Sequence, residues 1–186
     1  MKYCSACGKA VTQRIPDGDS RLRYVCDHCQ TIHYQNPNIV AGVLPNHGSQ
    51  VLLCRRAIEP RKGYWTLPAG FMENGETMEQ AARRETVEEA CARLGELTLY
   101  HLYDLPHINQ VHVFFRGELA DLDFDIGVES LEVRLFEQHE IPWDELAFRT
   151  VRVTLECYYR DREKQHYPVR NDSLPPSFAP PPTLDS

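Results

Sequence analysis

Long hydrophobic runs are missing from this 186-residue chain. None approaches the roughly 18 apolar residues that a membrane-spanning helix needs, and the opening MKYCSACGK has no apolar signal region. We therefore expect a cytoplasmic protein without a membrane partner.

Positive charge is also scarce, because 20 Lys and Arg stand against 27 Asp and Glu, which gives a net charge of −7. Proteins that bind nucleic acid broadly present a basic surface, so no nucleic-acid partner is expected. An anionic ligand would need cations between itself and this acidic chain.

Cysteine, in contrast, is plentiful, and four of the seven cysteines form two C-x-x-C pairs, Cys4 with Cys7 and Cys26 with Cys29. Two such pairs around a short β-hairpin are typical of a closed, structural four-thiolate zinc site. Disulfides or chance spacing are the alternatives. We expect Zn²⁺, because thiols stay reduced in the cytosol.

Hydrophobic patterning predicts an α+β fold behind this zinc module. Two segments have helical spacing: Thr77–Leu94, which opens on a Thr77/Gln80 capping box and stops at Gly95, and Phe148–Lys164. The predicted strands are Val11–Ile15, Arg21–Val25, Ile39–Leu44 and Val51–Cys54, together with three segments that alternate or run apolar: Leu97–Asp104, Gln110–Leu119 and Leu131–Phe136. Strands flanked by two helices form a layered sandwich.

The chain divides into three predicted parts. Residues 1–35 form a zinc ribbon and residues 36–170 form the main domain, with a linker over Thr31–Asn38. Five prolines fall between Asn171 and Ser186, so residues 171–186 are predicted to be a disordered tail.

Three carboxylates of the first predicted helix, Glu85, Glu88 and Glu89, share one face because they stand at positions i, i+3 and i+4. Their mutual repulsion is relieved by a hard divalent cation such as Mg²⁺ or Mn²⁺, and Arg84 can brace them. A solvated charged helix face is the alternative. The glycine-rich bend Gly70–Gly75 favours the metal, because its backbone can approach a cation or a phosphate closely.

This spacing resembles the box of the Nudix hydrolases: Gly, five residues, Glu, seven residues, Arg-Glu, an aliphatic residue, any residue, Glu-Glu, any residue, Gly and an aliphatic residue. Here Gly70 precedes FMENG and Glu76, and TMEQAAR precedes the segment Arg84–Ala92. Thr86, Cys91 and the small aliphatic Ala92 depart from the pattern, and none of them stands at a ligand position.

The resemblance implies a Nudix α/β/α sandwich with an N-terminal zinc ribbon, and metal-dependent hydrolysis of a diphosphate linked to a nucleoside. The implied ligands of Mg²⁺ or Mn²⁺ are three carboxylates and one carbonyl: Glu85, Glu88, Glu89 and Gly70. Arg84 would orient Glu85, and Glu76 would support the loop or the metal shell.

Many family members take a general base from a loop before a late strand, where this chain has Glu129, with Glu132 as the second choice. A surface acid is the alternative for both. Arg55 and Arg56 follow a predicted strand and are candidates for binding substrate phosphate, because a guanidinium fork matches its oxygens. Surface ion pairs are the alternative for at least one of them.

The segments IHYQNPNIV, LLCRRAIEPRKGYWTLPAGFMENGE and LPHINQVHVFF are similar to a ribbon-bearing Nudix group that acts on FAD and ADP-ribose. The implied products are AMP with FMN or with ribose 5-phosphate. The related NADH pyrophosphatases carry an SQPWPFP-type signature after the box, and this chain lacks it.

Three other functions stay open. They are NADH pyrophosphatase-like activity, a non-catalytic Nudix ligand sensor, and hydrolysis of capped RNA with the ribbon as a docking module. We expect the ribbon instead to support dimerisation or to cover a sheet edge, and the chain to form a homodimer.

Overall fold

The computed structural model describes residues 1–176. The chain forms two compact units, one from Met1 to Pro37 and one that begins at Asn38. The first unit holds both C-x-x-C pairs, and the second holds both long helices.

The first unit contains the strands β1 Val11–Arg14, β2 Arg23–Cys26 and β3 Ile32–His33. They form an antiparallel sheet in the order β1-β2-β3, and the first two are the predicted hairpin. The linker prediction is wrong at Ile32 and His33, which pair with β2. This third strand supplies the additional pairing that makes a small sheet stable, and it buries His33.

The second unit contains eight strands: β4 Asn38–His47, β5 Gln50–Arg56, β6 Trp65–Thr66, β7 Ala69–Phe71, β8 Leu94–Leu105, β9 Gln110–Leu119, β10 Ser130–Phe136 and β11 Arg170–Ser173. They form a mixed sheet along the path β10-β5-β4-β9-β8-β11, with β6 beside β5 and β7 beside β4. Every strand predicted for this part of the chain is present, with ends that differ by a few residues.

Helix α1 spans Met78–Ala90 and begins at the predicted capping box of Thr77 and Gln80. Its predicted end at Gly95 is wrong. The helix ends at Cys91, which adopts the left-handed conformation with a φ of 49°. The chain has to turn there because β8 begins almost at once.

Helix α2 spans Arg149–Lys164, within one residue of the predicted Phe148–Lys164, and Phe148 is its N-cap residue. A short 3-10 turn, Trp143–Glu145, precedes it. Among residues 1–176, no helix combines the length and the hydropathy of a membrane span.

The two helices pack on opposite faces of the sheet, because neighbouring residues of a strand point to opposite sides. On β4, Val43 joins a core that includes Ala81 and Ala82 of α1. The adjacent Leu44 joins a core that includes Leu155 of α2. The predicted α+β fold, an α/β/α sandwich, is thereby confirmed.

The tail prediction is wrong at Asn171–Ser173. These residues complete β11, which pairs in parallel with His101–Asp104 of β8. The four residues RNDS have no hydrophobic period, so patterning does not reveal this strand. The prolines that predicted disorder begin only at Pro175, and residues 177–186 lie outside the described range.

Candidate active site

Gly70 lies directly against Glu85, where the glycine-rich bend folds back on α1. Gly70 belongs to β7, which pairs with β4. A Cβ atom at this position would overlap the Glu85 carboxylate, so a glycine is required for the strand to come this close. The bend and the acidic helix face therefore meet without a side chain between them.

Arg84 connects the acidic groups. Its guanidinium donates to Glu85 Oε1 at 2.7 Å, to Glu88 Oε2 at 3.2 Å and to Glu76 Oε1 at 2.8 Å. It also donates to the carbonyl of Phe71 at 3.0 Å. The hydrogen bonds to these carboxylates, above all the bond to Glu76, raise the pKa of Arg84 above its ordinary value. The arginine stays charged and holds Glu85 in one orientation.

Glu89 is the most buried carboxylate of the three, with 5 % of its surface exposed, and Glu85 follows with 9 %. Burial, together with the negative charge of Glu85, raises the pKa of Glu89 to about 8. Burial also raises the pKa of Glu85. Within residues 1–176, Glu89 Oε2 has no hydrogen-bond partner. Such an oxygen is costly to bury alone, and a hard divalent cation is a suitable partner, so these residues fit a metal site.

The loop before β10 brings Glu129 to the same place. Gly127 donates its N–H to the carbonyl of Glu89 at 3.1 Å, and the Glu129 carbonyl accepts from the Ala57 N–H at 2.8 Å. A Cβ at Gly127 would overlap the Glu88 carbonyl, so this glycine lets the loop lie on the end of α1. The charge of Glu129 contributes to the raised pKa of Glu89, and both residues line the same cavity.

A cavity of about 770 Å³ opens beside these carboxylates. Its acidic end is formed by Gly70, Glu85, Glu88, Glu89 and Glu129. Much of the remaining wall is apolar and comes from the β8–β9 region, the start of α2 and the segment after β11: Leu105, Ile108, Phe114, Phe148, Val151 and Leu174. The cavity thus joins a charged end to an apolar one.

The two adjacent arginines of β5 point to opposite sides of the strand. Arg56 lines the cavity, with its guanidinium carbon 5.2 Å from the centre of the Phe148 ring. Arg55 instead donates to the Gly63 carbonyl at 2.9 Å and lies 3.7 Å from Glu132 Oε2. Among the described residues, neither Arg55 nor Glu132 lines the cavity, so the structure does not bring these two candidates to the site.

Glu76 supports the loop between β7 and α1. Its Oε1 accepts the Glu73 N–H at 2.6 Å. The bonds from Arg84 lower the pKa of Glu76, so it stays ionised. In the part of the chain that the structure describes, Glu76 is not a cavity residue. Its contacts shape the bend and orient Arg84.

The four cysteines of the first unit form a compact cluster in which all sulfur atoms lie within 4.8 Å of one another. Cys4 Sγ lies 3.6 Å from Cys29 Sγ, and Cys7 Sγ lies 3.5 Å from Cys26 Sγ. A tetrahedral ion with Zn–S bonds of about 2.3 Å needs sulfur atoms at about this spacing. His33 Nε2 lies 3.3 Å from Cys4 Sγ and can donate a hydrogen bond to that thiolate.

Known protein families match both parts of the chain, the one with the acidic site and the one with the cysteine cluster. A family model for the NUDIX domain matches residues 36–156, and a model for the Nudix N-terminal zinc ribbon matches residues 2–35. The chain belongs to the Nudix family. Its box, which begins at Gly70, is the bend and helix face described above.

A solved Nudix hydrolase from Nitrosomonas europaea is 52% identical to this chain, with a TM-score of 0.90 over 94% of this chain and 99% of that one. The NAD-capped RNA hydrolase NudC of Pseudomonas syringae pv. tomato is 29% identical over 90% of this chain and 59% of its own length. This Nudix chain thus spans 59% or 60% of the first curated relatives that it matches. An ADP-ribose pyrophosphatase from Streptococcus suis is 17% identical, with a TM-score of 0.59 over 74% of this chain and 100% of that one, which shows a common fold.

Sequence reasoning missed several polar residues of the Nudix cavity, among them Gln110, His112 and Arg149. Burial lowers the pKa of His112 to about 4, so its ring is neutral, and its Nε2 lies 2.9 Å from Gln110 Oε1. Arg149 stands in the first turn of α2. Gln110 and His112 could have been found from the sequence. In the segment QVHVF they share a strand face with Phe114, which is buried, so polar side chains on that face indicate a site.

Proposed function

We propose that this protein hydrolyses the diphosphate linkage of a nucleoside diphosphate derivative with Mg²⁺ or Mn²⁺, and that ADP-ribose and FAD are its first candidate substrates. The products would be AMP with ribose 5-phosphate, or AMP with FMN. The observation that carries the proposal is the buried pair of Glu85 and Glu89 beside a cavity of about 770 Å³, with a Glu89 Oε2 that has no hydrogen-bond partner among residues 1–176.

The proposed metal ligands are the carboxylates of Glu85, Glu88 and Glu89 and the carbonyl of Gly70. All are hard oxygen donors, which favours Mg²⁺ or Mn²⁺. A divalent cation bound there neutralises diphosphate charge and lowers the pKa of a coordinated water. Arg84 keeps Glu85 directed at the site through its 2.7 Å hydrogen bond.

Glu129 is the proposed general base. It stands on a separate loop that is anchored to α1, so it can face the attacking water from outside the metal-binding helix. A carboxylate in that place accepts the proton that the water loses on attack at phosphorus. Glu132, the second choice, is paired with Arg55 instead.

The rest of the cavity supports a substrate with phosphate and ring groups. Arg56 and Arg149 bring positive charge to the wall, which offsets the acidic end and favours phosphate oxygens. The neutral His112 and Gln110 can hydrogen-bond a base or a ribose without adding charge. The aromatic ring of Phe114 supplies an apolar surface against which a planar group can pack.

A second candidate substrate is NAD, free as NADH or as the 5′ cap of RNA. It is favoured by the similarity to the NAD-capped RNA hydrolase of Pseudomonas syringae. NAD shares the ADP half with the first candidates, so the same metal carboxylates would act on it. The net charge of −7 gives no support for contacts to a long RNA backbone.

Product analysis on ADP-ribose, FAD, NADH, a short NAD-capped RNA and a nucleoside triphosphate tests the proposal. Each reaction is run with Mg²⁺, with Mn²⁺ and with EDTA. We expect AMP from ADP-ribose or FAD only when metal is present. Faster cleavage of NADH or capped RNA would favour the second candidate, and no product from a folded, zinc-loaded protein would contradict the enzyme assignment.

A further inference from the structure

The segment that follows β11 returns to the cavity. Leu174 donates its N–H to the Asp104 carbonyl at 3.3 Å, which continues the pairing of β11 with β8. Its side chain packs on the core beneath α2, and both Leu174 and Pro175 line the cavity. Because β11 is the edge strand, these residues lie far across the sheet from the metal carboxylates.

Strand register gives the distance across the sheet from the β7 side of the cavity to the β11 side. One row of paired residues runs through β7, β4, β9, β8 and β11: Phe71, Val40, His112, Tyr103 and Asp172. Neighbouring strands are about 4.8 Å apart, so the four steps of this row span about 19 Å. That width accommodates a diphosphate, a sugar and a ring in succession.

The far end of the cavity suits an uncharged ring. Leu105 pairs directly with Gln110, which places an apolar side chain beside the neutral Gln110 and His112. Leu174 and Pro175 extend this apolar surface. An apolar wall with a few neutral donors and acceptors is typical of sites for planar organic groups.

Two polar contacts fix β11 in place. His101 Nε2 donates to Asp172 Oδ2 at 2.7 Å, and Arg170 donates to Asp161 at 2.6 Å. The His101 side chain is fully buried, and burial lowers its pKa, so a neutral ring makes this bond. The Tyr103 hydroxyl, 3.0 Å from His101 Nδ1, donates to the other ring nitrogen.

We propose that Leu174 and Pro175 form the end wall of the substrate cavity and select substrates that carry a planar ring, a nucleobase or a flavin, on the side away from the metal. Asp172 is a positioning residue for this wall, because it holds β11 on His101. The inference rests on the proposed function for its substrate class. Its test uses binding of the monophosphate products, which does not require turnover.

The first experiment compares binding of AMP, FMN and ribose 5-phosphate to the full chain by titration calorimetry. The Leu174→Ala variant removes part of the wall, so we expect AMP or FMN to bind about tenfold more weakly, as for the loss of apolar contacts in a specificity pocket. Binding of ribose 5-phosphate, which has no ring, should change less than twofold. Val169→Ala is the matched control, because Val169 is exposed and lies outside the cavity lining among residues 1–176.

Two further variants separate the wall from general stability. Leu174→Met keeps an apolar side chain of similar volume and should restore most of the affinity for the ring-bearing probe. Asp172→Asn weakens the anchor on His101, so it should raise KM for a ring-bearing substrate while kcat stays within about twofold, since the carboxylates are untouched. Thermal unfolding of each variant checks that the fold persists.

The proposed wall would be contradicted if Leu174→Ala weakened the binding of AMP and of ribose 5-phosphate equally. Unchanged binding of AMP and FMN by this variant would also contradict it. Failure of the unmodified protein to bind AMP or FMN at millimolar concentration would overturn it too. If these probes bind as expected but none of the diphosphate substrates is cleaved, the wall stands and the proposed hydrolysis fails.

Discussion

Gly70 and the Glu85 carboxylate occupy adjoining space so closely that a single methyl group at Gly70 would overlap the carboxylate. The Gly70→Ala change should therefore displace Glu85 and lower kcat by about 100-fold, because small misplacements of a reacting group have costs of that order. Metal-dependent product release measures the effect. Gly95→Ala is the control, since a Cβ there would meet only the Glu118 carbonyl at 3.5 Å. Full activity of Gly70→Ala would contradict the close contact.

Glu89→Gln should remove the metal-binding charge at nearly constant volume. Changes to residues that merely orient metal ligands lower metal affinity or activity by about 10–100-fold. Loss of a direct ligand should therefore lower kcat by more than about 100-fold. Glu79→Gln is the matched control, because Glu79 is on the same helix and is bonded to Arg83 at 3.0 Å. Near-normal turnover by Glu89→Gln would refute its role as a ligand.

Metal affinity should rise with pH. Burial and the charge of Glu85 raise the pKa of Glu89 from 4.5 to about 8, so the metal-free carboxyl holds a proton at neutral pH. A cation has to displace that proton, and Mn²⁺ affinity should fall by up to about tenfold for each pH unit below about 8. Calorimetric titration with Mn²⁺ between about pH 6 and pH 9 measures this slope. A flat profile would argue against a protonated Glu89.

The stability of the metal-free protein should show the opposite trend. The folded state binds the Glu89 proton more tightly than the unfolded chain does, since the pKa is raised on folding. The free energy of unfolding should therefore decrease as pH rises from about 5 to about 8. Urea denaturation in EDTA checks the sign, and Glu89→Gln should reduce the slope.

Glu129→Gln should lower kcat by about 100-fold or more with little change in metal binding, because it removes the proposed proton acceptor but keeps its shape. The comparison is Glu132→Gln, which should retain activity. Glu132 stands three positions further along the chain and forms an ion pair with Arg55. The reverse result would assign the base to Glu132.

One zinc ion per chain is expected in the cysteine cluster. Cys26→Ser should lose the ion, since Cys26 Sγ lies 3.5 Å from Cys7 Sγ in the four-sulfur group. Cys91→Ser changes an exposed cysteine elsewhere and should keep the full zinc content. Metal analysis after gel filtration gives the zinc content of each variant. The elution volume in the same run tests the homodimer, which stays a prediction. Equal zinc content in both variants would contradict the cluster.

The acidic centre was predictable because its parts are local. Glu85, Glu88 and Glu89 share a helix face by spacing alone, and Gly70 stands a fixed distance ahead of them. The two arginines of β5 show where such reasoning ends. Arg55 and Arg56 both follow an apolar run, and the strand's orientation in the sheet decides which of them reaches the cavity.

The far end of the cavity was beyond prediction for a related reason. Gln110 and Leu174 come from distant parts of the chain and reach the same cavity through the strand order β9-β8-β11. Leu174 follows a strand of four polar residues whose pairing partner is some 70 positions away in sequence. Local patterns carry no information on such contacts.

β11 also has a consequence for the behaviour of the protein at high concentration. Strand β8 is long, and from His101 to Asp104 its outer backbone groups are paired with β11. Left bare, those N–H and C=O groups would be a template for a strand of another molecule. A short, charged edge built from RNDS is a poor template for such pairing. The strand that leads to the proposed end wall is therefore also expected to protect the sheet against edge-to-edge aggregation.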